Sequence, residues 1–164
     1  MDDRDLCYAS SLRILKYRFN STAELRRKLR SKGFDRETIE ATLARLREEK
    51  WLDDARFAAA FVRTQALKRK GRRRIRRELM GAGVDDATIA NAVAENVDAE
   101  GERERAAAAA QKRLPILARR YGSEDVRNKL RAYLLKQGYE ASLVYDVVAD
   151  LIKRAASGEQ RADD

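Results

Sequence analysis

The densest chemical signal in the chain is positive charge. Between Arg63 and Arg77 stand Arg63, Lys68, Arg69, Lys70, Arg72, Arg73, Arg74, Arg76 and Arg77, with no acidic residue among them. A helix face that serves only solvation mixes signs, because an acid four residues from a base stabilises a helix while like charges repel. Such a run points instead to a surface that meets a polyanion, either nucleic acid or an acidic protein groove. The 164-residue chain has 36 Lys and Arg against 27 Asp and Glu; taking those nine from the 36 leaves 27 against 27, so the net charge of +9 belongs to this segment. Two lesser basic runs, Arg26, Arg27, Lys28, Arg30 and Lys32, then Arg127, Lys129 and Arg131, are explained nearly as well as the exposed sides of amphipathic helices.

Other chemistry is poorly supplied. There is no histidine, which removes imidazole bases and His-ligated zinc. The lone Cys7 cannot form an internal disulfide and reads as a small apolar residue. The pairs Asp53-Asp54 and Asp85-Asp86 each precede a helix pattern and read as caps rather than as an acid/base couple. Neither GxxxxGK[ST] nor GxGxxG is present, since Lys70-Gly71 runs directly into arginines. The expectation is a protein with no catalytic set, no cofactor and no metal. An acidic start, Met1-Asp2-Asp3-Arg4-Asp5, and apolar runs too short for a membrane span lead to the expectation of a cytoplasmic, reduced environment.

What must position the cations is helical. Tyr8, Leu12, Leu15 and Phe19 form one apolar stripe, and no period-2 pattern is sustained anywhere. Glycines mark an internal repeat: Leu25, Leu29, Gly33, Phe34, Ile39 and Leu43 match Ile75, Leu79, Gly83, Val84, Ile89 and Val93 at an offset of 50. Leu130, Leu134, Gly138, Tyr139, Val144 and Val148 follow at an offset of 55. Each glycine fits the left-handed residue that stops a helix, with the next residue folding back onto the last turn. Asp35 and Asp85 then cap the following helices, Glu140 or Ser142 does so in the third copy, and Ser21 to Glu24 reads as a capping box.

A further helix precedes each pair, so the reading is all-α: about nine helices in tandem three-helix repeats, stacked into an elongated, curved body. The repeats cover 1–50, 51–98 and 99–155, with a disordered tail over 156–164. Pro115 either kinks or divides its helix. Trp51, beside Leu52 at a junction, reads as core rather than as a base-stacking platform.

These residues also resemble a known family. Leu12 to Arg18 with Ser21 and Glu24 to Leu29, then Trp51-Leu52-Asp53-Asp54-Ala55-Arg56-Phe57 with Phe61-Val62, Arg74 to Leu79 and Gly83-Val84, and finally Leu130 to Tyr139, are similar to the RecX family. The similarity runs over about residues 6 to 153. One departure is that members often carry a Gly-Pro type element where Gly71 here leads into Arg72-Arg73-Arg74. The resemblance implies a non-enzymatic regulator of the RecA recombinase in DNA repair, recombination and the SOS response. It implies binding along the groove of a RecA filament on single-stranded DNA, with lowered ATPase, strand exchange and coprotease activity; the chain itself is expected to be a monomer. Capping of filament ends and disassembly from within both fit. The competing class is an autonomous basic helical-repeat protein that binds single-stranded or double-stranded nucleic acid by itself.

Overall fold

The structure is a computed structural model that describes residues 2–159. Nine helices make up the described residues: α1 (Asp3–Tyr17), α2 (Thr22–Ser31), α3 (Arg36–Glu48), α4 (Asp54–Leu67), α5 (Arg72–Gly81), α6 (Asp86–Asn96), α7 (Ala99–Ala118), α8 (Ser123–Gln137) and α9 (Ala141–Glu159). The chain forms two compact units. One joins the residues up to Phe61 with Glu78–Val93, and the other joins Val62–Arg77 with the described residues from Ala94 onward.

In the first unit, Cys7 from α1, Leu25 and Leu29 from α2, and Ile39, Leu43 and Leu46 from α3 bury together with Leu52. The Ser21 hydroxyl accepts the Glu24 N–H while the Glu24 carboxylate accepts the Ser21 N–H, which closes the capping box. Asp35 accepts the Thr38 N–H at 2.9 Å and starts α3. In the second unit Ala106, Ala109 and Ala110 of α7 lie against Leu130 and Leu134 of α8 and Val144, Val147 and Val148 of α9. Alanines on α7 let the helices that flank it come close, so bulk is supplied by α8 and α9.

The three glycines stop their helices by one geometry. Gly33, Gly83 and Gly138 have φ of 92°, 76° and 92°. The N–H of the following residue reaches back to Leu29 O at 3.4 Å, Leu79 O at 3.2 Å and Leu134 O at 3.3 Å. Each glycine N–H meets the carbonyl three residues before it, at 3.0, 2.9 and 3.0 Å. This pair of bonds is the Schellman stop.

Two more helices end in the same way with a cation at the left-handed position. Lys50, at φ 60°, lies between Lys50 N–H to Arg47 O, 3.0 Å, and Trp51 N–H to Leu46 O, 2.9 Å. Arg69, at φ 56°, lies between Arg69 N–H to Ala66 O, 2.8 Å, and Lys70 N–H to Gln65 O, 3.2 Å. No glycine marked these stops in the sequence.

Within each unit a helix start docks on a glycine stop. In the first, the Ser21 hydroxyl donates to Ala82 O at 2.5 Å, and a Cβ on Gly83 would lie 2.4 Å from Ala23 Cβ. In the second, the Gly71 N–H donates to Gln137 O at 2.9 Å and the Arg73 N–H to Gly138 O at 3.1 Å. Gly71 stands 50 residues after Ser21, and Gln137 stands 55 after Ala82, so the two dockings occupy equivalent places in the repeat. They also account for the boundary within α5: its end belongs with α2, and its start belongs with α8.

Four details differ from the sequence reading. α1 ends at Tyr17, so Phe19 lies beyond the helix and is 55% exposed. The chain is turned there by buried Asn20, which donates to Arg18 O at 2.8 Å and accepts from the Lys28 ammonium at 2.7 Å. Trp51 is 54% exposed, because the junction turn buries Leu52 in its place. Pro115 does not divide α7, which runs on to Ala118; the proline removes one intrahelical bond, from position 115 to Gln111 O, and only three helical residues follow it. The tail expected from 156 is helical as far as Glu159, with the Ser157 hydroxyl donating to Lys153 O at 2.9 Å; residues 160–164 lie outside the described residues.

Candidate polyanion-binding surface

The basic segment divides by what its side chains touch. Arg72 opens α5: its N–H donates to Glu102 Oε1 at 2.8 Å, and its guanidinium pairs with the other carboxylate oxygen. Glu102, on α7, is 2% exposed. Because Gly71 precedes the helix without a side chain to cap it, the cap comes from α7 instead. Arg73 pairs with Glu140 at 3.3 Å and Arg74 donates to Gln137 Oε1 at 3.1 Å, both beside the α8 stop. Arg72, on buried Glu102, ties the start of α5 to α7, while the Arg73 pair is exposed to solvent. Arg63 donates to Asn96 Oδ1 at 3.0 Å.

Lys68 and Arg69 do something different. They line a cleft of about 220 Å³ with Lys112 and Arg113 of α7 and Tyr133 of α8, and no carboxylate is among its lining residues. The Tyr139 hydroxyl donates to Arg69 O at 2.6 Å, which fixes the turn that carries both cations. Burial pushes that hydroxyl's pKa up to about 12, so it stays a donor through the physiological range. Arg113 lies over the Tyr133 ring, 5.4 Å from its centroid. A neighbouring groove of about 560 Å³ brings Arg63, Arg69 and Arg105 together beside Leu67, with Glu104 as its acid. Arg69 lines both openings. Four cations that line one cleft, with no carboxylate in its described lining, suit phosphate or carboxylate oxygens. Lys112 and Arg113 were missed in the sequence because they stand as a lone pair between the alanine tract and Leu114-Pro115, with no basic run around them. The signal available was a basic pair just after the Ala106 to Ala110 tract, on a stretch without acids.

The other expected contacts are mixed. Arg26 is gripped by both Glu40 oxygens at 2.6 and 3.0 Å, and Arg27 donates to Gly81 O at 3.4 Å. Lys28 is held by Asn20, and burial together with the nearby Arg18 lowers its pKa. Lys129 and Arg131 lie 4.3 and 4.4 Å from the ring centroids of Tyr121 and Tyr145. Arg30, Lys32, Arg76, Arg77 and Arg127 are exposed, whereas Lys70 is half-buried. Asp53 caps α4 through the Arg56 N–H at 3.0 Å, while Asp54 accepts the Thr22 N–H at 2.7 Å; neither reads as a general base. Burial pushes the Cys7 thiol up, away from thiolate chemistry. No helix among the described residues is long and apolar enough to cross a membrane.

The fold and the cleft define a tandem three-helix repeat protein with a basic opening. Family profiles described as "RecX, first three-helix domain" and "RecX, second three-helix domain" match residues 7–46 and 53–93. The chain is 35% identical over 158 residues to the regulatory protein RecX of Mycobacterium sp. (strain JLS), covering 94% of this chain and 85% of that one. It is 32% identical over 157 residues to the regulatory protein RecX of Clostridium botulinum (strain Eklund 17B / Type B), covering 93% and 70%. A crystal structure of regulatory protein RecX superposes with a TM-score of 0.80 at 27% identity, over 91% of this chain and 72% of that one. The crystal structure of RecX from Lactobacillus salivarius shares the fold, with a TM-score of 0.80 at 24% identity over 92% and 97%. The chain belongs to the RecX family of regulatory proteins.

Proposed function

We propose that this chain inhibits a RecA recombinase by binding its filament on single-stranded DNA, acting as a cytoplasmic monomer, with the Lys68, Arg69, Lys112 and Arg113 cleft against acidic protein surface or phosphate. The observation that carries the reading is a cleft lined by those four cations, with no carboxylate in its described lining, in a chain of this family. A filament is a repeating polymer, so one bound molecule limits many protomers and inhibition is substoichiometric. The filament is then limited in extension or driven to disassemble.

Steady-state ATP hydrolysis by the cognate RecA on single-stranded DNA tests this. The wild type lowers the rate below one molecule per RecA, and Lys68→Glu with Lys112→Glu and Arg113→Glu removes the effect while leaving the helical spectrum unchanged. An undiminished rate at equimolar wild type would sink the proposal. Charge reversal at Arg72 is the wrong test, since its N–H and guanidinium hold the start of α5 on buried Glu102.

The same cleft also favours a second reading, autonomous nucleic-acid binding. That reading predicts a salt slope of about −0.7 per phosphate on naked single strands, and inhibition that disappears in step with naked-DNA affinity.

A further inference from the structure

The α3 stop builds a surface that the basic cleft does not use. A groove of about 420 Å³ in the first unit is lined by Leu15, Phe19, Glu49, Lys50, Trp51 and Arg56. Its two large aromatics are more than half exposed. In the three glycine-stopped helices the residue after the stop folds inward: Val84 and Tyr139 are buried and Phe34 is half-buried. Trp51 occupies the same place in the α3 stop and points out instead.

Lys50 is the second anomaly. It holds a left-handed φ of 60° where glycine is unstrained, and it directly precedes the exposed Trp51. The Arg56 guanidinium lies 5.5 Å from the Phe19 ring centroid and donates to Lys50 O at 3.1 Å, so it is held at the groove rather than swinging in solvent. The groove's acid, Glu49, is already engaged: it accepts from the Tyr8 hydroxyl and from Arg45 at 2.8 Å, and these bonds hold its pKa low. The charge it offers a ligand is therefore that of Lys50 and Arg56.

We propose that this groove is a stacking site for single-stranded nucleic acid, with a base laid on Trp51, Phe19 as the opposite wall, and the adjoining phosphates met by Lys50 and Arg56. Flat aromatic faces interleaved with cations are what unpaired bases and their backbone require, and a paired duplex has no free base face to offer. A hydrophobic protein segment would use the indole but has no need of the two cations. The proposal does not rest on recombinase inhibition and stands or falls separately from it.

Trp51 is the only tryptophan of the chain, so its emission reports on the site directly. The experiment titrates the full chain with an oligothymidylate and with an abasic oligomer of equal length and charge, at low salt, following Trp emission and the anisotropy of labelled strands. Oligothymidylate quenches the emission and the abasic oligomer does not. Trp51→Ala weakens oligothymidylate binding by roughly 5- to 150-fold, the equivalent of one stacked base, and leaves abasic binding unchanged. Trp51→Phe, which keeps a flat face, retains most of the affinity. Binding of oligothymidylate without quenching, equal loss of both oligomers in Trp51→Ala, or no binding at all overturns the proposal. So does a Trp51→Ala chain that binds oligothymidylate normally but no longer slows RecA, which would make the groove a protein anchor.

Discussion

Substituting Gly71 by alanine tests the docking of α5 on α8 most directly. A Cβ there would lie 2.4 Å from both the carbonyl carbon and oxygen of Gly138 and 2.5 Å from Tyr139 N. All three are backbone atoms, so none can rotate away. Carbon contacts settle near about 3.5 Å, so the two backbones must part by about 1 Å. The Gly71 N–H to Gln137 O bond, 2.9 Å, and the Arg73 N–H to Gly138 O bond, 3.1 Å, would then both stretch past hydrogen-bonding distance. Losing two partly buried bonds costs about 1 to 3 kcal/mol each, against about 0.5 kcal/mol recovered from a less flexible unfolded chain. The expected net loss is about 3 kcal/mol, measured as the free energy of urea unfolding from the helical circular dichroism. Gly81→Ala is the matched control: its Cβ meets nothing within 4 Å at the end of α5, so the same chemical change should raise stability by about 0.5 kcal/mol. If the two variants fall within 0.5 kcal/mol of each other, the close approach of Gly71 and Gly138 does not hold the chain together.

Further outcomes follow from single contacts. Glu102→Ala leaves the Arg72 N–H and guanidinium without their acceptor and should cost about 2 to 3 kcal/mol in the same assay, below the range for a fully buried pair because water reaches Arg72. Tyr139 binds its proton more tightly folded, near pH 12, than unfolded, near pH 10, so its contribution is whole below about pH 10 and is lost as pH rises through about 12. Wild type should therefore lose roughly 2 kcal/mol more than Tyr139→Phe between pH 9 and the alkaline end of a denaturation series, and equal losses would refute the burial argument. Lys50→Gly relieves a left-handed non-glycine residue and should stabilise by about 0.5 to 1 kcal/mol while weakening oligothymidylate binding. Gly33→Ala should cost only the conformational penalty of about 1 kcal/mol, because its Cβ meets nothing, whereas Gly83→Ala adds a clash with Ala23 and should cost visibly more in thermal unfolding.

The helix order was legible because each helix carries local instructions. A capping box at Ser21, Asp35 and Asp85 as caps, and glycines at offsets of 50 and 55 all act within a few residues of where they stand. The stops at Lys50 and Arg69 were invisible for the complementary reason. A left-handed cation has no residue signature, and only the bonds of the neighbouring N–H groups reveal it. Trp51 was misread because large aromatics are usually buried, and the deciding fact, that Leu52 takes the inward position at this turn, depends on packing rather than spacing. Lys112 and Arg113 were missed because the cleft unites residues more than 40 positions apart, from α7 and from the turn after α4.

The charge segment itself shows where a sequence count stops being a surface. Nine cations lie between Arg63 and Arg77, yet Arg72, Arg73 and Arg74 face Glu102, Glu140 and Gln137. Arg72 is needed there because α5 begins on a glycine that must be small enough to touch Gly138, and a glycine brings no cap of its own. The close approach demands the glycine, the glycine leaves the helix start without a side-chain acceptor, and the acceptor arrives as a buried carboxylate that itself needs an arginine. Part of the positive run is thus a consequence of how the repeats dock. Of the rest, Arg76 and Arg77 stand exposed on α5, while Lys68 and Arg69 share a cleft with two more cations from α7, so the surface offered to a polyanion joins part of the sequence run to residues outside it.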